Sequence, residues 1–221
     1  MAKKKRKLKK KNIFFVFFIV FVFLLGLSFF SDIKINNIVV KNNVLYSDWE
    51  IIKKAGLGDY PSFLKTLTIN TSKKLESDPY IKSAKVKKRF LNDIVIDVEE
   101  NLPLFYYLPK KKTILMDKTE TDDNFSVPTV INYIPDKIYS KFLKSISGID
   151  YSIIKRISEI KYDPNDVDNG RFFLTMNDGN QVYLTLSKFS SLDNYLTIIK
   201  EFNNKKGILY LDSGEYFEVK E

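Results

Sequence analysis

Residues 79–103 read PYIKSAKVKKRFLNDIVIDVEENLP. The stretch from Tyr80 to Phe90 predicts a strand. Val86, Lys88 and Phe90 alternate on one face, opposite Lys85, Lys87 and Arg89. Asn92-Asp93 supplies a turn. Ile94, Ile96 and Val98 then alternate again, with Asp97 and Glu99 directed outward. Glu99 and Glu100 occupy adjacent strand positions and so face opposite sides of a sheet, where they cannot share a substrate.

Upstream of this pair, Ile33 to Asn43 reads as a β-branched strand ending at Asn42-Asn43. Ser47 and Glu50 have capping-box spacing, in which hydroxyl and carboxylate each satisfy a backbone N–H at a helix start. A short helix through Ile51, Ile52 and Ala55 should stop at Gly56, which accepts a left-handed backbone. Trp49 reads as a core or rim residue. A second helix lies within Phe63 to Ser77, with Phe63, Leu64, Leu67 and Leu75 as its apolar face. Asp78-Pro79 ends it, because a residue before Pro avoids helical geometry. The order is strand, helix, helix, strand, strand.

Downstream, Leu104 to Leu108 reads as a strand, and Thr113 to Met116 returns after a Pro109–Lys112 turn. A helix starts at about Asp136, with Ile138, Tyr139, Phe142, Ile146 and Ile149 at helical spacing. Ile157 to Tyr162 is a further strand. Arg171–Met176 and Gln181–Leu186 flank Asn177-Asp178-Gly179-Asn180, a hairpin signal in which Asp-Gly supplies positive backbone angles. Leu192, Tyr195, Leu196, Ile199 and Phe202 predict an amphipathic helix. Gly207 to Leu211 is the last strand, followed by Asp212-Ser213-Gly214-Glu215-Tyr216-Phe217.

The runs Pro79-x-Ile81-x-x-Ala84-x-Val86 and Asn92-x-Ile94-x-Ile96-x-Val98-x-Glu100-x-x-Pro103 resemble the POTRA domain of the FtsQ/DivIB bacterial division proteins. The later order also resembles that family's β domain, through Ile157 to Ile160, the Asp-Gly hairpin and the terminal G-x-L-Y-L-D-x-G-x-Y-F run. The chain departs from the pattern where Asn42-Asn43 replaces the usual Gly-Asn and Leu91 replaces a usual Pro. The resemblance implies an α+β fold: a POTRA domain at 33–103 (β-α-α-β-β) and a mixed sheet domain at 104–221. It also implies a role in linking divisome components, with partners similar to FtsB/DivIC and FtsL.

The formal charge of +9 is concentrated in the first twelve residues. Lys3, Lys4, Lys5, Arg6, Lys7, Lys9, Lys10 and Lys11 stand there with no acid, leaving 28 basic and 27 acidic groups elsewhere. Basicity confined to a tail argues against nucleic-acid binding, which spreads Lys and Arg over a folded face. Residues 13–30, IFFVFFIVFVFLLGLSFF, carry no charge and would span about 27 Å as a helix, close to the hydrocarbon thickness of a bilayer. This predicts a single transmembrane helix. The positive-inside rule places the 1–12 tail in the cytoplasm against the lipid bilayer and the rest outside a bacterial membrane. The resemblance adds the septum as location. A rival reading is a signal peptide cleaved after Ser28.

With no Cys and no His, disulfides, thiol nucleophiles, Ser-His-Asp chemistry and the common zinc sites are excluded. Asp163, Asp166 and Asp168 fail calcium-loop spacing, because position five would be Val167. Neither catalytic residues nor a cofactor or metal is expected. The expected mode of action is docking through a sheet edge. The last strand is the candidate edge, with Gly207, Ile208, Leu209, Tyr210 and Leu211 for pairing and Tyr216 and Phe217 as aromatic anchors. The alternatives are a membrane-anchored, carboxylate-based wall-modifying enzyme and a POTRA-containing transport or assembly factor. The basic stretch Lys85, Lys87, Lys88 and Arg89 reads as a solvated strand face, or else as a contact for anionic headgroups or wall polymer.

Overall fold

A computed structural model describes the backbone of residues 10–30, 33–203 and 205–220. It divides into two compact units, residues 1–100 and 101–221. The first unit contains α1 (Lys10–Phe30), β1 (Ile38–Lys41), α2 (Asp48–Ala55), α3 (Thr68–Glu76), β2 (Ile81–Lys88) and β3 (Ile94–Glu100). Within α1, side chains are described from Phe14 to Gly26, and Phe14 to Leu25 are exposed. Among the described residues no helix is long and apolar enough to cross a membrane. Of the orienting cations, Lys3, Lys4, Lys5, Arg6, Lys7 and Lys9 lie outside the described residues, as do the side chains of Lys10 and Lys11.

The three strands form one sheet in the order β1-β3-β2, with β1 parallel and β2 antiparallel to β3. Ile94, Ile96 and Val98 are buried against Ile51, Ile52 and Leu75, so the alternation and the first helical face pack as their periods demand. The capping box forms. Ser47 N–H donates to Glu50 Oε2 at 2.9 Å and Glu50 N–H donates to Ser47 Oγ at 3.4 Å. Gly56 ends α2 at φ 74°. Trp49 is a half-exposed rim residue.

Three expectations fail here. The first strand is only four residues long, preceded by a bridge between Lys34 and Ser62. Leu64 and Leu67 are exposed, because local bonds such as Thr66 N–H to the Ser62 carbonyl hold this stretch as a loop and α3 starts only at Thr68. Phe90 does not continue the buried face of β2. Arg89 N–H bonds the Asp93 carbonyl across the hairpin, and residues Phe90–Asn92 make a tight turn that lifts Phe90 outward.

Glu100 is buried at the end of β3. Its carboxylate accepts the backbone N–H groups of Val44 at 2.6 Å, Leu45 at 2.5 Å and Tyr46 at 3.1 Å, tying the loop after β1 to the sheet.

The second unit contains β4 (Pro103–Tyr107), β5 (Lys112–Leu115), β6 (Glu120–Thr121), β7 (Thr129–Val130), α4 (Asp136–Ile146), α5 (Tyr151–Ile154), β8 (Ile157–Tyr162), β9 (Arg171–Met176), β10 (Gln181–Thr185), α6 (Tyr195–Glu201), β11 (Gly207–Tyr210) and β12 (Tyr216–Val219). They build a nine-stranded mixed sheet, β12-β11-β10-β9-β8-β7-β4-β5-β6. Phe142 of α4 stacks on Phe172 with centroids 4.9 Å apart, and Phe189 meets both rings edge-on. Fully buried aromatics of this size dominate core energetics.

The Asp-Gly hairpin forms, but only Gly179 takes a positive φ, 87°. Gly179 N–H bonds the Met176 carbonyl and Met176 N–H bonds the Asn180 carbonyl. This is a type I turn closed by a left-handed Gly, rather than a two-residue loop. The amphipathic helix is also shorter than its pattern. Residues Leu186–Asn194 wind as a 3₁₀ segment before α6, which leaves Leu196 exposed while Leu192, Tyr195 and Ile199 are buried.

Candidate functional site

The sheet of the second unit ends on β12. The expectation that Gly207 to Leu211 form the edge is therefore corrected. Strand β11 is interior, paired in parallel with β10 (Val182 opposite Leu209) and antiparallel with β12 (Leu209 opposite Phe217). The unpaired edge lies one strand later, at Tyr216–Val219, where short flanking turns gave no strand signal. Lys220 N–H donates to the Lys206 carbonyl at 2.9 Å. Antiparallel bonding alternates along a strand, so Glu218 and Tyr216 also turn their polar groups toward β11, and Phe217 and Val219 turn theirs away. Those two residues carry the N–H and C=O groups free to accept another strand.

The two aromatic anchors lie on opposite faces. Tyr216, half exposed, completes a ladder of four rings in register across the sheet. Phe173 faces Tyr183 at 4.7 Å, Tyr183 faces Tyr210 at 5.5 Å and Tyr210 stacks on Tyr216 at 4.6 Å. Arg171 covers Tyr183, its guanidinium 4.0 Å from the ring centroid, and pairs with Asp163 and Asp212 at 2.7 Å each. Phe217 lies on the inner face against Phe202 at 4.8 Å, in a cleft with Ile198, Leu209 and Leu211.

A buried polar cluster fixes where β11, and through it the edge, begins. Asn180 accepts Gly207 N–H at 2.9 Å and donates to the Tyr195 hydroxyl at 2.9 Å, and that hydroxyl donates to Asp178 at 2.7 Å. Lys206 Nζ adds a bond to the Asp178 carbonyl. Burial alone would raise the Asp178 pKa, but bonds from Asn180 N–H and the Tyr195 hydroxyl outweigh it and hold the carboxyl below its ordinary range. The Tyr195 hydroxyl is pushed up, first by burial and then by its bond to Asp178.

Residues 33–101 match the family model described as POTRA domain, FtsQ-type. The cell division protein DivIB of Bacillus subtilis (strain 168) is 30% identical over 197 residues, covering 84% of this chain and 74% of that protein. This chain belongs to the DivIB family. The DivIB of Listeria monocytogenes is 27% identical over 231 residues, covering 98% of this chain and 85% of that one. The major extracytoplasmic domain of DivIB from Geobacillus stearothermophilus shares 18% identity, with a TM-score of 0.38 over 48% of this chain and 97% of that domain. That structural likeness is too low to bear on the fold.

In this DivIB-family chain, sequence reasoning missed Glu218 and Val219 on the edge strand, and Phe173 and Tyr183 of the aromatic ladder on the interior strands β9 and β10. A usable signal was the strand-face alternation of Phe173 and Tyr183 with buried neighbours, once the partner strands are known. Among the described residues no group of three or more acidic side chains is placed to hold a metal ion. The Asp163–Asp168 segment is a polar turn, with Asn165 Oδ1 accepting Val167 and Asp168 N–H and Asp163 engaged by Lys161 and Arg171.

Proposed function

We propose that this chain is a non-enzymatic, bitopic membrane scaffold of the divisome. The uncharged run 13–30 spans the membrane, the 1–12 tail stays at the cytoplasmic leaflet, and the POTRA domain (33–103) and β domain (104–221) stand outside, at the septum. The DivIB-named relatives support the division role, and the charge asymmetry around 13–30 supports the orientation.

The observation that carries the docking mode is the unpaired β12 edge with Tyr216 at the end of an aromatic ladder. An extended segment of a partner similar to DivIC/FtsB, in complex with one similar to FtsL, adds as a further strand. Phe217 and Val219 supply backbone bonds, and the Tyr216 ring and the cleft beside Phe217 supply selectivity.

Val219→Pro tests this. It removes an outward N–H and spares the bonds to β11, a position where a sheet tolerates Pro. With the full chain in detergent, affinity for the DivIC-like partner should fall about tenfold or more, the loss of about 1.4 kcal/mol or more, while the melting temperature is kept. Unchanged affinity refutes edge pairing. A fluorescent fusion spread evenly over the envelope, with no mid-cell ring, refutes the division role.

A further inference from the structure

The turn between β2 and β3 exposes two large apolar side chains side by side, Phe90 (88% exposed) and Leu91 (68%). Leu91 and Asn92 both adopt left-handed backbone, φ 66° and 61°, so the turn holds these side chains out in one defined conformation. Exposed apolar clusters of this kind mark interaction sites.

Two hydrogen bonds and the strand register say where on the unit this turn lies. Asn36 N–H donates to the Asn92 carbonyl at 3.0 Å, and Ile94 N–H to the Asn37 carbonyl at 2.9 Å. Ile38 pairs with Ile94 in parallel register. The tip is therefore at the end of the sheet where the chain enters from α1. Leu64, also exposed, belongs to the same end, because Phe63 N–H bonds the Ile33 carbonyl and Lys88 Nζ reaches the Leu64 carbonyl at 3.4 Å. From Phe30 to Asn36 the chain can reach at most about 20 Å.

The charges at this end are more basic than acidic. Lys34, Lys65, Lys88 and Arg89 are exposed, and the acids nearest in the chain are Asp32, which lies outside the described residues, Asp93, which accepts Asn36 Nδ2 at 3.4 Å, and Asp59. Cations act on an anionic surface only within about a Debye length, ~10 Å at 0.1 M salt. A tether of at most about 20 Å to a membrane span allows them to come within that range.

We propose that Phe90 and Leu91 enter the outer headgroup layer of the bilayer that holds α1, with Lys34, Lys88 and Arg89 paired to anionic phospholipid. The contact would fix the first unit against the membrane. It rests on the reading of 13–30 as a span.

The natural chain has no Cys, so single labelling sites can be introduced. Leu91→Cys, Phe21→Cys and Val167→Cys, each carrying an environment-sensitive NBD dye, are reconstituted as full chains in vesicles. The lipid is phosphatidylglycerol with phosphatidylcholine, or phosphatidylcholine alone, each doped with headgroup or acyl-chain nitroxide lipids. The expected result at Leu91 is a blue shift and quenching by headgroup nitroxides in the anionic vesicles, weakened in phosphatidylcholine and by Phe90→Ser. Val167, fully exposed in the second unit, should stay unquenched. Quenching at Phe21 by acyl-chain nitroxides reports the span separately. Its presence without quenching at Leu91 overturns this proposal alone, and loss at both positions overturns the span as well. A blue shift at Leu91 that no nitroxide quenches, and that fades as the chain is diluted in lipid, means a second copy covers the tip and also overturns the proposal.

Discussion

A Cβ added to Gly207 would lie 2.1 Å from the Glu218 carbonyl oxygen and 2.6 Å from the Phe217 ring. Gly207 pairs with Val219 where the strands do not exchange bonds and so approach most closely. The missing side chain is what lets β12 lie against β11. Gly207→Ala should cost about 2 kcal/mol through overpacking, all of it at this contact. Amide exchange at residues 216–220 should accelerate while β9 and β10 keep their protection, and partner affinity should fall with it. Equal protection of 216–220 in both proteins would show that the edge adapts to the added methyl.

The Glu100 carboxylate accepts three consecutive backbone N–H groups, those of Val44, Leu45 and Tyr46. Hydrogen bonds to a charged acceptor stabilise by about 1.5–3 kcal/mol, and stranding the donors costs more. Glu100→Ala should therefore destabilise the first unit by about 3 kcal/mol, and Glu100→Gln by less. Chemical denaturation followed by Trp49 fluorescence reads this unit, because Trp49 is the chain's only Trp. An unchanged midpoint for Glu100→Ala contradicts the assignment.

The Asp178–Tyr195 pair sets a pH window for the second unit. Asp178 titrates below its ordinary value when folded, so its contribution is present above about pH 3.9, the unfolded value, and is lost as pH falls through the lower folded value. Tyr195 titrates above its ordinary value, so its contribution is present below about pH 10 and is lost as pH rises through the higher folded value. Asp178→Asn should lower the melting temperature between these limits, and the gap from the natural chain should close on the acid side. A gap constant from neutral pH into acid would show that the carboxylate charge is not the stabilising feature.

The parts of the fold that were legible are those with local causes. The capping box at Ser47, the left-handed stop at Gly56 and the alternation of Ile94, Ile96 and Val98 each depend on residues a few positions apart. The hairpin of β9 and β10 is legible for the same reason. The edge was not, because the parallel pairing of β10 with β11 joins Tyr183 to Tyr210 across an intervening helix. No local pattern reveals that Tyr216 continues the same ladder. Leu64, Leu67 and Phe90 misled because their spacing is apolar and periodic, while turn bonds at Ser62 and Asp93 decide their exposure. Strand alternation places Glu100 opposite the outward Glu99, but only the return of Val44 to Tyr46 over the sheet end shows what its carboxylate accepts there.

Leu91 separates stability from docking in one residue. A left-handed backbone costs a non-glycine residue about 1 kcal/mol or more, and Leu91 recovers little of it by burial, being mostly exposed. Glycine takes the same backbone without that cost, though it adds entropy to the unfolded chain. Leu91→Gly should therefore leave the first unit equally stable or stabilise it by up to about 0.5 kcal/mol. The same change removes half of the apolar tip. If the turn serves lipid contact, quenching of a dye on neighbouring Phe90→Cys by headgroup nitroxides should fall in Leu91→Gly while the Trp49-detected denaturation midpoint holds or rises. A fall in the midpoint would mean that the Leu91 side chain contributes to the fold, and the strain argument would fail.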